Sequence, residues 1–374
     1  MGSNQHELNG VQALKEFFGT DGRSRGTMSW HYFADDQEPI QEKTEFTFYD
    51  ARENHPTRTE WRLYYQGSFL AQADIGDRLF IARSTSGQIF GLVFQMGSAW
   101  LRAAQTFFGS DVSTSHLDLV PRETLEGQEL ELLRRQILDE LNLDIAVPVT
   151  VTDEDLMVEK YGRVFPSTKE MALFARSQVE VDPNNADETL VRWLSREEEL
   201  FRALERVVIG ERLKEGFESV DEFIEYSLSV QNRRKSRMGF ALQNHLGELF
   251  TVNRLRFTPQ ARTEANNRPD FIFPGQDEYH DQAFDATLLV MLGVKSTSKD
   301  RWRQVLTEAD RIPAKHLCTL EAGISVKQTD EMKRQNLTLV IPSSLHRTYT
   351  SDQRGTLLNV GAFIEFARGK QTRD

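Results

Sequence analysis

Between residues 44 and 95 apolar and polar positions alternate in four short bursts, "TEFTFYD" (44–50), "EWRLYYQ" (60–66), "RLFIARS" (78–84) and "IFGLVFQ" (89–95). A period of two puts one face of a strand in a core and the other in water, so this part predicts a β-rich barrel or sandwich. Residues 97–108 and 123–142 read as helices, the second with Leu and Ile at helical spacing. "VDPNNADE" (181–188) concentrates Pro, Asn and acids and predicts a loop. Residues 190–215 are strongly helical. Ser219 and Glu222 fit a capping box, after which Phe223, Ile224 and Leu228 start an amphipathic helix. From 239 onward the pattern predicts helix 239–250, strands 254–258, 270–273 and 287–296, helix 300–311, and strands 316–320 and 337–342. The expected organisation is a β-rich pseudobarrel domain (1–165), a linker with leading helices (166–200), and a C-terminal α/β domain on a central mixed sheet (201–374). No internal repeat interrupts this order.

Composition narrows the class. A chain of 374 residues with 39% hydrophobic positions can bury substantial cores. The apolar run "TLLVMLGV" (287–294) is far too short to cross a bilayer. No charged-then-apolar leader opens the sequence, and His6 stands where a myristoylation pattern needs Ser or Thr. One cysteine, Cys318, excludes an intrachain disulfide and a cysteine-rich zinc site. A soluble, cytoplasmic protein is expected, with no membrane partner. The net charge of −12 is unevenly spread: residues 1–200 carry −15 and residues 201–374 carry +3. Only the second part suits a polyanionic partner.

The stretch "RPDFIFPG" (268–275) places Asp270 at the mouth of a short apolar strand, with Pro269 holding the entry extended. Lys295 ends the apolar strand "TLLVMLGVK", and Glu308 follows on the predicted helix "DRWRQVLTEADRI". Two carboxylates and a lysine around a sheet end suit Mg²⁺-dependent phosphodiester hydrolysis. Hard oxygens hold the cation, which activates water, and the lysine steadies phosphate charge. The plainer alternative is a solvated Asp, a surface Lys and a Glu paired with Arg303 or Arg311.

The surroundings favour the first reading. "NRRKSRMGFALQNHLGELF", "GFESVDEFI", "RPDFIFPG…EYHD", "VKSTSKDRWRQVLTEADRIPAKHLCTLEAGIS" and "LVIPSSLH" together resemble the EcoRII-type restriction endonucleases, in order from about Phe165 to Phe366. The resemblance implies a PD-(D/E)xK nuclease domain acting on double-stranded DNA at CCGG- or CCNGG-type sites. It also implies Mg²⁺, no nucleotide cofactor, a homodimer matching a near-palindromic site, and bacterial or archaeal origin. Its catalytic set would be Asp270, Lys295 and Glu308, with Asp270 and Glu308 on the metal. In this subgroup the second acid has moved to the following helix, and Gly293 indeed stands two before Lys295.

By the same resemblance Lys299, Asp300 and Arg301 would read G and C edges. Arg303 would contact a phosphate or brace the helix. Arg233, Arg234, Lys235 and Arg237 form the densest basic cluster, expected as a loop on the DNA backbone. Gln243 stands where family members usually carry a metal-site glutamate. Glu248 lies five residues on, roughly 140° around a helix, and should not substitute. Tyr279 and His280 match the family between the two catalytic strands, with a minor role at best.

The first 165 residues show little residue-level match. The resemblance implies an effector-binding or autoinhibitory domain. Arg52, Arg58, Arg62, Arg78 and Arg83 face only four acids in residues 51–100 and suggest a local basic face. A nuclease whose barrel reads a modified base, and a non-cleaving DNA-binding relative, are the alternatives.

Overall fold

The computed structural model describes residues 6–84, 86–108, 137, 151–182, 184–297 and 302–372. The chain divides into two compact units, residues 1–126 and 127–374. The expected helix at 123–142 lies outside the described residues, apart from residue 137.

The first unit is a six-stranded sheet curled into a half-barrel, in the order β1-β4-β3-β2-β6-β5. Its strands are β1 Glu7–Asn9, β2 Ser24–Phe33, β3 Ile40–Asp50, β4 Trp61–Tyr65, β5 Arg78–Arg83 and β6 Ile89–Phe94. The four alternating bursts became β3 to β6. Only β2 and β6 run parallel; every other neighbouring pair is antiparallel. Met28 and Trp30 from β2, Phe46 and Phe48 from β3, and Leu63 and Tyr65 from β4 build the core, each two residues apart as the pleat requires. Three of the five arginines expected on a basic face have partners within the unit. Arg52 and Arg62 both pair with Glu60, and Arg83 donates to the carbonyl of Phe17.

The second unit contains a five-stranded mixed sheet in the order β11-β10-β9-β8-β7. Its strands are β7 Thr258–Pro259, β8 Phe271–Phe273, β9 Val290–Lys295, β10 Lys315–Thr319 and β11 Leu337–Val340. β9, β10 and β11 are parallel, whereas β7 and β8 run antiparallel to their neighbours. Phe250, near the end of helix Val220–Val252, packs edge-on against Phe271 and Phe273. Phe363, on helix Val360–Gln371, packs on Phe273 from another side.

Helical segments before residue 201 pack within this unit. Helix Val151–Tyr161 contributes Met157, and helix Thr168–Ser177 contributes Met171 and Phe174, to one core with Leu200, Phe201 and Leu204 of helix Ala186–Glu215. Asp187, expected in a loop, is buried on that helix. Its carboxylate accepts from the amides of Ser343, Val360 and Gly361 at 2.9–3.1 Å. A buried acid is held there by charge-assisted bonds to two distant segments.

The basic run 232–237 is not a loop. Helix Val220–Val252 continues unbroken through it. The reason lies in the neighbouring helix, whose glutamates meet these arginines. Three carboxylates, Glu197, Glu198 and Glu205, face three guanidiniums, Arg202, Arg234 and Arg237. Ser219 caps the helix by accepting from the Glu222 amide at 3.1 Å, while the Glu222 carboxylate turns to the Glu218 amide instead of closing the box.

Candidate functional site

Strand register brings the two halves of the expected site together. β8 pairs antiparallel with β9, Phe271 opposite Leu292 and Phe273 opposite Val290. Continuing that register sets Asp270 beside the C-terminal end of β9 although 24 residues separate them in sequence. Asp270 Oδ2 accepts from the Val294 amide at 2.6 Å, and Oδ1 accepts from Gln260 Nε2 at 2.8 Å. Lys295 Nζ lies 3.9 Å from Oδ2.

Glu308 completes the group but not from a helix. The helix after β9 covers Trp302–Val305 and ends there, and Glu308 stands on the turn that follows. Ala309 takes the left-handed conformation (φ 54°), which stops helical hydrogen bonding. The Lys315 ammonium donates to the carbonyls of Glu308, Ala309 and Ile312, and the Ala309 carbonyl also accepts from the Ile312 amide at 2.9 Å. Burial pushes the carboxyl of Glu308 above its usual range, Lys295 pulls it down, and Asp270 adds a further upward push. Asp270 is likewise raised by burial, against the pull of Lys295 and its own hydrogen bonds. The three groups share one electrostatic environment at the end of the sheet.

Glycine at 293 has a packing cause. A Cβ there would lie 2.9 Å and 3.1 Å from the two methyls of Val305. Residues 293 and 295 point to the same face of β9, so the helix that leads to Glu308 occupies the space where an acid two before Lys295 would project. Gly293→Ala is expected to destabilise the protein by about 1–3 kcal/mol through overpacking. Adding Val305→Ala should recover most of that loss. Thermal unfolding of the two variants checks it, and an unchanged melting temperature in the single variant would contradict the packing argument.

Gln243 lies on helix Val220–Val252 midway between Gly239 and Gly247, four residues from each. A Cβ on Gly239 would sit 4.0 Å from Ser296 Oγ, and one on Gly247 3.6 Å from the Phe271 ring. Their common face points at the ends of β8 and β9, so half-buried Gln243 belongs to the same edge of the sheet as Asp270 and Lys295. Glu248 points elsewhere, with Arg176 3.5 Å away.

The remaining expected residues divide. Lys299, Asp300 and Arg301 lie outside the described residues. Arg303 stacks on Trp302 and pairs with Glu331 at 2.9 Å, bracing its helix against helix Val326–Arg334. Arg237 is buried between Glu197 and Glu198, and Arg234 is paired with Glu205. Arg233 lies over the Phe165 ring at 4.3 Å, and Lys235 is exposed. Tyr279 and His280 are in a short helix, Gln276–His280, rather than an open loop. Buried Tyr279 donates to the Glu264 carboxylate at 2.6 Å, and burial followed by that bond pushes its phenol up. Glu264 in turn accepts from the Asp310 amide at 3.2 Å. Gln260, Glu264 and Lys315 were not expected. Only Lys315 carries a sequence signal, a lysine immediately before the predicted strand "HLCTL".

The donor set fits a hard divalent cation. It consists of two carboxylates with oxygen donors, and Glu308 Oε2 is buried without a hydrogen-bond partner. Among the described residues no third His, Cys, Asp or Glu joins them. No helix of the described residues is long and apolar enough to cross a membrane.

The chain is similar to known proteins over its second unit. Residues 201–364 match the family model "EcoRII C terminal". The chain is 43% identical over 243 residues to the type II restriction enzyme EcoRII of Escherichia coli, a match covering 65% of this chain and 59% of that enzyme's length. Similar solved structures include metal-depleted Ecl18kI in complex with uncleaved, modified DNA (15% identity, 59% of this chain and 84% of that one, TM-score 0.48). Another is the restriction endonuclease PspGI–substrate DNA complex (14% identity, 58% and 96%, TM-score 0.47). The sequence matches thus make residues 201–364 similar to the C-terminal part of EcoRII, and the chain spans about 59% of that enzyme's length.

Proposed function

We propose that this protein is a type II restriction endonuclease that hydrolyses double-stranded DNA at a short CC…GG-type site, with Mg²⁺ as cofactor and as a homodimer. The observation that carries the reading is the convergence of Asp270, Lys295 and Glu308, from three separate segments, at one end of the sheet. The similarity to EcoRII supports the substrate class.

Asp270 and Glu308 would hold the cation, which when bound supplies an activated water and neutralises charge on the phosphate. The protein's own part is to hold these two carboxylates in place beside Lys295. The amide of Val294 and the amide group of Gln260 orient Asp270. Lys295, half-buried beside it, is placed to donate to a phosphate oxygen as negative charge grows there. In the reaction water adds to phosphorus, the bond to the leaving sugar oxygen breaks, and that oxygen gains a proton. Lys299, Asp300 and Arg301 are proposed to read the base edges, and Lys235 to contact the backbone. The first unit is proposed to regulate cleavage by binding DNA as an effector or by covering the catalytic cleft.

The test is a digest of unmethylated phage DNA in Mg²⁺ by the full chain, beside Asp270→Ala. Discrete fragments sharing a CC…GG end, lost in the variant, are the expected result. Sequence-specific binding without cleavage would instead favour a non-cleaving relative in which Gln243 marks lost activity. Cleavage confined to modified DNA would favour a modification-sensing nuclease.

A further inference from the structure

Lys315 opens β10 with only 6% of its surface exposed. Its ammonium has three protons and finds three acceptors, the carbonyl oxygens of Glu308 at 2.6 Å, Ala309 at 3.0 Å and Ile312 at 2.8 Å. Among the described residues no carboxylate is bonded to it. A buried cation fully satisfied by the carbonyls of one turn is an uncommon use of lysine, whose charge is costly to desolvate. Those three carbonyls belong to the segment from Glu308 to Ile312, which follows the end of the helix Trp302–Val305. Neighbouring groups hold the rest of the turn. Asn267 donates to the Thr307 carbonyl at 2.8 Å, and Glu264 accepts from the Asp310 amide. Arg311 donates to the carbonyls of Asp281 and Phe284 at 2.9 Å and 3.1 Å.

We infer that Lys315 is a positioning residue for Glu308: by gathering the three carbonyls it sets the turn that aims the Glu308 carboxylate at Asp270 and Lys295. The inference rests on the reading of Glu308 as a cation ligand. Sequence alone offers Glu308 as the last part of a helix, where its side chain would project along a different direction. Lys315 supplies donors to all three carbonyls beyond the helix end, of which, among the described residues, only that of Ala309 also accepts from a later amide, Ile312 at 2.9 Å. A ligand displaced by about 1 Å costs on the order of 10²-fold in rate, and loss of a group that orients a metal ligand costs about 10–100-fold in metal affinity or activity.

The experiment uses the full chain with Lys315→Met, Lys315→Arg, Glu308→Ala and the double variant Lys315→Met/Glu308→Ala. Three quantities are measured: Mn²⁺ affinity by calorimetry, single-turnover DNA cleavage, and DNA affinity without divalent cation. Lys315→Met is expected to weaken Mn²⁺ binding and slow cleavage by about 10–100-fold while leaving metal-free DNA affinity unchanged. Lys315→Arg, which keeps charge and donors, should recover part of both losses. In the Glu308→Ala background Lys315→Met should weaken Mn²⁺ binding no further, because the two act through one ligand. Wild-type Mn²⁺ affinity and cleavage in Lys315→Met would overturn the inference. Failure of both Lys315 variants to fold, or equal loss of all three quantities, would overturn it in favour of a general role in stability. If Glu308→Ala itself binds Mn²⁺ and cleaves as wild type, the underlying reading of the site fails instead.

Discussion

Asp270→Asn or Glu308→Gln should remove DNA cleavage and, in metal-free buffer, make the protein harder to melt. Loss of a cation ligand forfeits several kcal/mol of transition-state stabilisation, about 10³-fold or more in rate. The stability gain follows from the same geometry. Both carboxyls titrate above their usual range, chiefly because burial disfavours their charged forms. The fold therefore binds their protons more tightly than the unfolded chain does. Stability is fully present below the ordinary carboxylate range, falls as pH rises through the raised folded-state values, and stays reduced at neutral pH. An amide at either position has no proton to lose and escapes that cost. Melting curves from pH 4 to 8, with and without Mg²⁺, measure it. The wild type should gain stability from the cation at neutral pH, and each variant should gain less. Variants that melt at or below the wild-type temperature in metal-free buffer at neutral pH would contradict this account of the site.

Arg237→Met should be the most destabilising single change among the basic cluster, and its effect should be on the fold. Arg237 is 6% exposed and meets Glu197 and Glu198, which are 0% and 3% exposed. Glu197 also lies 2.9 Å from His245, whose imidazole burial pushes down against the pull of that carboxylate. Removing one member of such a pair leaves buried charge uncompensated, costing about 3–5 kcal/mol, or on the order of 10 °C in melting temperature. Replacing Arg237, Glu197 and Glu198 together by apolar residues should cost less than the sum of the single changes, since the partners are removed as a set. Lys235→Ala, on the exposed side of the same helix, should leave stability within about 0.5 kcal/mol. A stable Arg237→Met protein with weakened DNA binding would restore the DNA-contact role expected from the sequence.

The two variants also separate what was legible from what was not. Asp270 and Lys295 were legible because each ends an apolar strand, and a strand end fixes where a side chain can go. Strands β3 to β6 of the first unit were legible because a period of two survives in the letters, whereas β1 and β2 were not predicted. Glu308 was legible as an acid at the right distance along the chain, but not its setting. The turn it stands on depends on Lys315, Glu264 and Asn267, which lie up to 44 positions away and carry no local pattern toward it. The basic run 232–237 was misread for a related reason. Charge density along a sequence does not say what faces it, and here much of it faces glutamates 29–40 residues earlier.

The letters alone determined the alternation that makes the half-barrel, the α/β order of the second unit, and the residue types that a phosphodiester-cleaving site needs. Tertiary structure decided the rest. Antiparallel pairing of β8 with β9 set Asp270 beside Lys295, and the packing of Val305 on Gly293 left no room for an acid on the strand. The facing helices turned Arg234 and Arg237 from candidate DNA contacts into internal ion pairs. Each of these is a relation between distant segments, set by burial and by the need of every buried charge for a partner, and neither condition can be read from neighbouring residues.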